Sequence, residues 1–409
     1  MRFPASASAN VRTEPQPVPV SRSAAPASLG AAPIVLLSTT AGDERASAQA
    51  VRAQLPAIPD GFTTLFCSSR YNLPVLTKEL QAAGCVRVVG AVTGRAIGPE
   101  GYLSAGITGF YLPHERFRVA DALIDDVTNF GLPDARAVVQ SLRRRLRRSA
   151  SAGFEHFFGM LLVDAEPRCE ERLVAALGTE LGGVPLVGGS AGDVYFNPLG
   201  AHSTCMLHQG RALRGGALFC IVASREPVLA LSHHNFVPGR RRLVVTAADP
   251  DRRLVREING RSALKVYAAA CGLKSIPKDA GAFSPYPLMI KVGGQYFARG
   301  MQRIYADGSI EFACAIEPGL VVTVARPVAM LERLKETMDT LTGTLGKPEL
   351  VVAFDCAART AYMERHGLKR RVSALLAQHH VVGFSTLGEQ FNTVHVNNSF
   401  TCIGIAARK

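Results

Sequence analysis

Five short stretches of this sequence carry side chains that could do chemistry. Ser232-His233-His234-Asn235-Phe236 sets two imidazoles at the end of an apolar run. Adjacent residues of a strand point to opposite faces, so at most one of the two rings would face a given cavity. Nearer the C-terminus, His380 opens Val381-Val382-Gly383-Phe384-Ser385-Thr386-Leu387-Gly388-Glu389, and His395 and Asn397 follow closely. Two β-rich runs here flank a Gly-Phe-Ser-Thr-x-Gly-Glu turn with three histidines and a carboxylate. Core strands have no need of so many polar groups, so a bound ligand is expected at or beside this turn. Metal ligation requires a neutral imidazole. His379 and His380 end a helical pattern, where the macrodipole favours the charged ring.

The remaining stretches suggest nucleophiles. Gly188-Gly189-Ser190-Ala191-Gly192-Asp193 fits GxSxG, but a nucleophile elbow needs a helix directly after the serine, and Pro198 breaks one early. The expectation is a tight glycine loop offering backbone N–H groups to a ligand. In Asp355-Cys356-Ala357-Ala358-Arg359, Asp355 could cap a following helix. Cys356 in the first turn would then have a lowered pKa, and Arg359 could hold a thiolate or an anion. A phosphatase loop has five residues between Cys and Arg, and only two stand here. No catalytic set is expected.

The elements that must position these residues follow from periodicity. Strands are expected at 33–38, 62–68 and 86–92, alternating with helices at 44–55 and 74–83, which is the pattern of an α/β layer. Residues 93–101 read as a glycine-rich connection before a strand over 105–112. Helices follow at 117–129 and 135–152, a strand at 157–163, and a helix from Pro167 to Leu181. Strands dominate 204–231. Beyond them come short strands, a helix over 262–271, and helices at 330–341 and 360–378 around a strand at 350–354. No internal repeat of fixed period is evident. The expected architecture is α/β (α+β): two domains of mixed β-sheet flanked by helices, 31–227 and 228–409, behind a tail at 1–30.

Composition narrows the class. Of 409 residues, 47% are hydrophobic and 19% charged, which is globular. The net charge of +13 is concentrated in Arg143–Arg148 and Arg240–Arg242. These runs lack interleaved aromatics or any helix-turn-helix pattern, so they read as solvated faces or patches for acidic partners, with no nucleic acid. Nine scattered cysteines without a CxxC pair fit reduced thiols in the cytoplasm and disfavour zinc. No apolar run nears the roughly 18 residues of a membrane span. The first 30 residues lack the continuous apolar segment of a secretory signal.

Taken in order, Phe66-Cys67-Ser68-Ser69-Arg70, Val88-Val89-Gly90, the 187–193 segment, Leu243-Val244-Val245-Thr246, Glu257-Ile258-Asn259-Gly260-Arg261-Ser262-Ala263, Phe354–Arg359 and Gly383–Glu389 resemble the FIST family of bacterial sensory proteins. The resemblance covers the chain after residue 30, with an N-terminal and a C-terminal FIST domain. The histidine segments at 232–238, 380–386 and 395–397 are most similar to the haem-binding, nitric-oxide-sensing NosP group, with Leu387 where an aromatic is usual. It implies a sensor that binds haem b through His234 or His233, with His380 and His395 as alternatives. The signal would pass to a histidine kinase or cyclic-di-GMP enzyme, since no kinase, cyclase or DNA-binding pattern occurs in the sequence. The other ligand class considered is a metabolite such as an amino acid. Its contacts would come from Gly188, Gly189, Ser190, Asp193, Cys356, Arg359, Gly383, Gly388, Glu389 and Asn397.

Overall fold

A computed structural model describes residues 32–85, 87–149, 153–165, 168–193, 204–276 and 280–408. The expected tail, Pro167 and Pro198 lie outside the described residues. The protein is mixed α/β, and its strands follow one scheme three times. The first round is β1 (Val35–Thr39), α1 (Glu44–Gln54), β2 (Phe62–Ser68), α2 (Leu73–Ala82), β3 (Val88–Thr93), the hairpin β4 (Ala96–Gly98) and β5 (Gly101–Leu103), then β6 (Ile107–Leu112). The second is β7 (Phe117–Ile124), α3 (Leu132–Ser149), β8 (His156–Asp164), α4 (Glu170–Leu181), β9 (Leu186–Ala191), the hairpin β10 (Cys205–His208) and β11 (Arg211–Leu213), then β12 (Ala217–Ser224).

The third round opens with β13 (Val228–His234) and is interrupted by a separate sheet. That insertion comprises β14 (Phe236–Asp249), β15 (Leu254–Ile258), β16 (Arg261–Ser262), α5 (Ala263–Ala270), β17 (Leu288–Val292), β18 (Gln295–Arg299), β19 (Met301–Ile304), β20 (Ile310–Phe312) and β21 (Val321–Pro327). The round resumes with α6 (Met330–Leu345), β22 (Pro348–Cys356), α7 (Ala357–Arg365), α8 (Lys369–Gln378) and β23 (Val381–Thr386). It closes with the hairpin β24 (Glu389–Phe391) and β25 (Val394–Val396), then β26 (Ser399–Ala406).

The three six-stranded sheets share one order: β1-β6-β2-β3-β10-β11, β7-β12-β8-β9-β24-β25 and β13-β26-β22-β23-β4-β5. In each, only the central pair is parallel. In each, the outer hairpin is supplied by a different round, so the strands are exchanged cyclically. The point near residue 228 falls between β12 and β13, and hairpins cross it in both directions.

The repeat is also written in the registers. Gly90 lies opposite Leu65, Gly188 opposite Leu161, and Gly383 opposite Ala353. A Cβ on these glycines would come within 1.8, 1.9 and 1.7 Å of the facing carbonyl oxygen. Only glycine lets the strands meet there. Val88-Val89-Gly90, Leu186-Val187-Gly188 and Val381-Val382-Gly383 are therefore one motif, where no repeat was expected. The inserted sheet about doubles the second spacing, which breaks any fixed period.

Each sheet turns one face onto a shared core, where Phe66 and Phe110 meet Phe158 and Leu218, and Phe354 and Phe384. The opposite faces are covered by α1 and α2, by α3 and α4, and by α6 to α8. The inserted sheet has its own core around Tyr267, which packs on Phe283 and Phe312.

Four element assignments are corrected. Residues 117–124 form strand β7 rather than a helix, because pairing along β12 outweighs the helix propensity of its Ala and Leu residues. The 93–101 segment is largely hairpin, with β4 pairing β23 from the far end of the chain. The helix expected over 360–378 is two, broken at Gly367, whose φ is +65°. Gly188 to Ala191 lies in strand β9 instead of a loop.

Replacing Gly383 by Ala should cost on the order of 3 kcal/mol, since the facing backbone must move. Gly343→Ala in α6, where a Cβ meets nothing within 4 Å, should instead add roughly 0.5–1 kcal/mol. Urea unfolding midpoints of the two variants should move in opposite directions.

Candidate ligand-binding cleft

β13 is the edge strand of the third sheet, with His233 opposite Phe400 and His234 opposite Ser399. The chain then crosses at Asn235 into the inserted sheet. The histidine pair therefore sits where two sheets join, beside a cleft of about 390 Å³. Its walls come from β13, from β18 through Tyr296, from α6 through Arg333 and Thr337, and from the β25–β26 connection through Asn397.

The two rings point different ways and are anchored differently. His233 Nδ1 lies 2.9 Å from Thr337 Oγ1, its ring packs on Phe400, and its Nε2 has no hydrogen-bond partner. His234 Nε2 donates to the Tyr296 carbonyl at 2.9 Å, leaving Nδ1 unpartnered as the lone-pair nitrogen. Burial pushes the pKa of His233 well down, with Arg359 adding to the shift. Burial also lowers His234, against the pull of its backbone hydrogen bond. Both rings are thus neutral near pH 7, as ligation or hydrogen bonding to a ligand requires.

Behind this wall the exchanged hairpin supplies a buried polar floor. The Asn397 amide is buried with both Oδ1 and Nδ2 unpartnered. On the same strand face, His395 has neither ring nitrogen hydrogen-bonded, and burial lowers its pKa while Glu171 acts to raise it. Gly388 makes room for both: a Cβ there would meet His395 Cε1 at 2.3 Å and Asn397 Nδ2 at 3.1 Å. Glu389 accepts from Thr386 Oγ1 and Ser399 Oγ, both at 2.5 Å. Burial lifts its pKa to about 8 despite these bonds. Ser399, bonded to Glu389, also lines the cleft.

The structure thus gathers His233, His234 and Asn397 at one cleft, with His395, Gly388 and Glu389 directly behind. The other residues singled out lie elsewhere. His380 terminates α8 with φ +53° and is not in the cleft wall. The neighbouring His379 is shifted down by burial, opposite to the effect expected of the helix end. Gly188, Gly189 and Ser190 are buried in β9, and Ser190 Oγ accepts from Gln390 Nε2 at 2.8 Å. Asp193 accepts from Ser69 Oγ. Gly383 serves strand contact.

Asp355 does not cap α7. It accepts from Arg359 Nε at 2.6 Å and from the Tyr102 hydroxyl, forming a buried ion pair that Asn235 extends through Arg359 Nη1. Cys356 takes the cap position without a side-chain cap bond, and burial drives its thiol pKa far up rather than down. Thr337, Arg333 and Tyr296 escaped the sequence reading. They lie about 60 to 100 residues from the histidines in ordinary helix and strand contexts, so no local signal marks them.

Three interlocked α/β sheets with a fourth inserted, and a half-polar cleft at the joint, form a frame suited to holding a small ligand. Comparison with known families makes this specific. A FIST N domain matches residues 61–261 and a FIST C domain matches residues 263–392. Together they take in most of the chain, which therefore belongs to the FIST proteins. FIST domains are sensory domains that bind small ligands rather than catalytic ones. Comparison with curated proteins gives no match. The boundary between the two domains falls inside the inserted sheet, at β16.

Glu389 gives a pH signature. Its folded pKa of about 8 exceeds the unfolded value of 4.5, so the native state holds the proton more tightly. Its stabilising contribution is full below about pH 4.5 and is lost as pH rises through about 8. Glu389→Gln should therefore gain stability relative to the parent as pH is raised from 5 to 8. Melting curves across that range check this, and a difference that stays flat with pH would contradict it.

Proposed function

We propose that this FIST protein is a sensor whose ligand occupies the His233–His234 cleft, and that the ligand is haem b with nitric oxide as the signal. The carrying observation is the state of His233: a neutral, buried ring with Nδ1 fixed by Thr337 and Nε2 left unpartnered. Metal-ligating imidazoles are commonly oriented in this way by a hydrogen bond at the second nitrogen. His234 offers Nδ1 in the mirrored arrangement. We therefore place His233 ahead of His234, the reverse of the order taken from sequence. Phe236, Phe297 and Val396 supply apolar wall, and Arg333, ion-paired with Glu336 at 2.8 Å, is the cation in the lining. Haem held there would supply an iron able to take up a diatomic gas.

Asn397 favours a second reading. Its unpartnered amide, with Arg333 and Glu336 across the cleft, also suits a small polar metabolite such as an amino acid. In either case the signal passes to a separate histidine kinase or cyclic-di-GMP enzyme. A cytoplasmic setting accords with nine unbridged cysteines. No helix among the described residues is long and apolar enough to cross a membrane.

The haem reading is tested by the absorption spectrum of the haem-supplied protein before and after nitric oxide. A Soret band that moves with the gas is expected, with the band lost or displaced in His233→Ala and kept in His380→Ala. No band, or a band unchanged in both the His233 and His234 variants, removes haem from this cleft. Thermal shifts with amino acids then test the second reading, since a ligand at a hundredfold its Kd adds about 2.7 kcal/mol.

A further inference from the structure

A second cleft, of about 560 Å³, opens on the inserted sheet and shares no lining residue with the histidine cleft. An irregularity in β14 builds it. Pro238 pairs with Ala325 and Arg242 with Thr323, so Gly239, Arg240 and Arg241 stand opposite the single residue Val324. Bulged residues leave the ladder and re-aim their side chains. The bulge is held from beneath by the Thr323 hydroxyl, which lies 2.8 Å from the carbonyl oxygens of both Gly239 and Arg241. At Gly239 a Cβ would come within 2.5 Å of the Val324 carbonyl oxygen, so glycine is required for the approach.

The consequence is a concentration of uncompensated charge. Arg240, Arg241 and, on the paired strand, Arg326 are exposed at the cleft. Among the described residues none of the three has an ion-pair or hydrogen-bond partner for its side chain. Like charges set side by side are unfavourable, and an anion relieves them. Guanidinium groups match phosphate bidentately, which suits arginine clusters to phosphorylated ligands. The half-buried Tyr286 and Cys271 also line the cleft. The site is concave and of the size of small-ligand pockets, about 300–1,000 Å³, which favours a small molecule over a protein surface.

We propose that this cleft binds a nucleoside di- or triphosphate, with Arg240, Arg241 and Arg326 on the phosphates and the Tyr286 ring against the base. The assignment is independent of what occupies the histidine cleft.

Isothermal titration of the full chain with ADP, pyrophosphate and adenosine tests it. ADP should bind, pyrophosphate should bind roughly tenfold more weakly, and adenosine should give no heat. The ADP affinity should fall as salt rises, because the charges are exposed. Arg240→Ala/Arg241→Ala should weaken ADP and pyrophosphate at least tenfold. Tyr286→Leu should weaken ADP alone. Arg144→Ala/Arg148→Ala on α3 and His233→Ala should leave ADP unchanged. A second readout is alkylation of Cys271, half-buried where the other eight cysteines are buried, which bound ADP should slow. The proposal is overturned by any of three results: no ADP affinity, equal loss in the α3 variant, or pyrophosphate binding as tightly as ADP.

Discussion

A parallel pair of strands has an open edge on either side, and an uncovered edge leaves a row of unpaired N–H and C=O groups. Here β2/β3, β8/β9 and β22/β23 each meet this constraint in the same way. One edge is covered by a strand of the same round, and the other by a hairpin lent from a different round. No round can close its own sheet. The apolar faces impose the same dependence, because Phe66, Phe158 and Phe354 are buried only against one another's sheets. Folding is therefore a collective property of the three rounds, although the chain visits them in sequence.

Buried charge reinforces the joint. Arg116, after the first round, donates to Glu226 after the second at 2.8 Å and to Glu349 in the third at 2.7 Å. A second ionic knot ties the insertion to the second round, where Arg253 meets Glu170 at 2.5 Å and Glu171 at 2.8 Å. Such pairs add little net stability over apolar packing, yet removing one partner strands a buried charge at about 3–5 kcal/mol. They penalise alternative arrangements of the units more than they strengthen the observed one.

The histidine cleft inherits this architecture. His233 and His234 come from the edge of the third sheet, Tyr296 from the insertion, and Asn397 from the hairpin lent to the second sheet. A ligand placed there would touch the third sheet, the insertion and the segment after the lent hairpin at once, so its occupancy would bias how these pack together. The polar atoms left unpartnered at His233, His234, His395 and Asn397 are concentrated here, and buried groups of this kind ordinarily find partners.

By itself the sequence determined most local structure, since the short apolar runs that place β2 and β8 and the 3.6 periodicity that places α1 and α3 depend only on neighbouring residues. It also determined that His233 and His234 stand together and point apart, because strand geometry requires it. What it could not decide depends on contacts between distant segments. Residues 117–124 became a strand because β12 lies alongside, and residues 96–98 became one because β23 does. The Cys356 thiol was expected to be acidic from its place at a helix start, but burial under the third sheet reversed the shift. Ser190 was buried by a strand pair that no local motif reveals. The three glycine motifs were legible as letters, yet their equivalence appeared only when the sheets showed each glycine facing a carbonyl. Tertiary structure decided these matters because burial and strand pairing are set by what arrives from elsewhere in the chain.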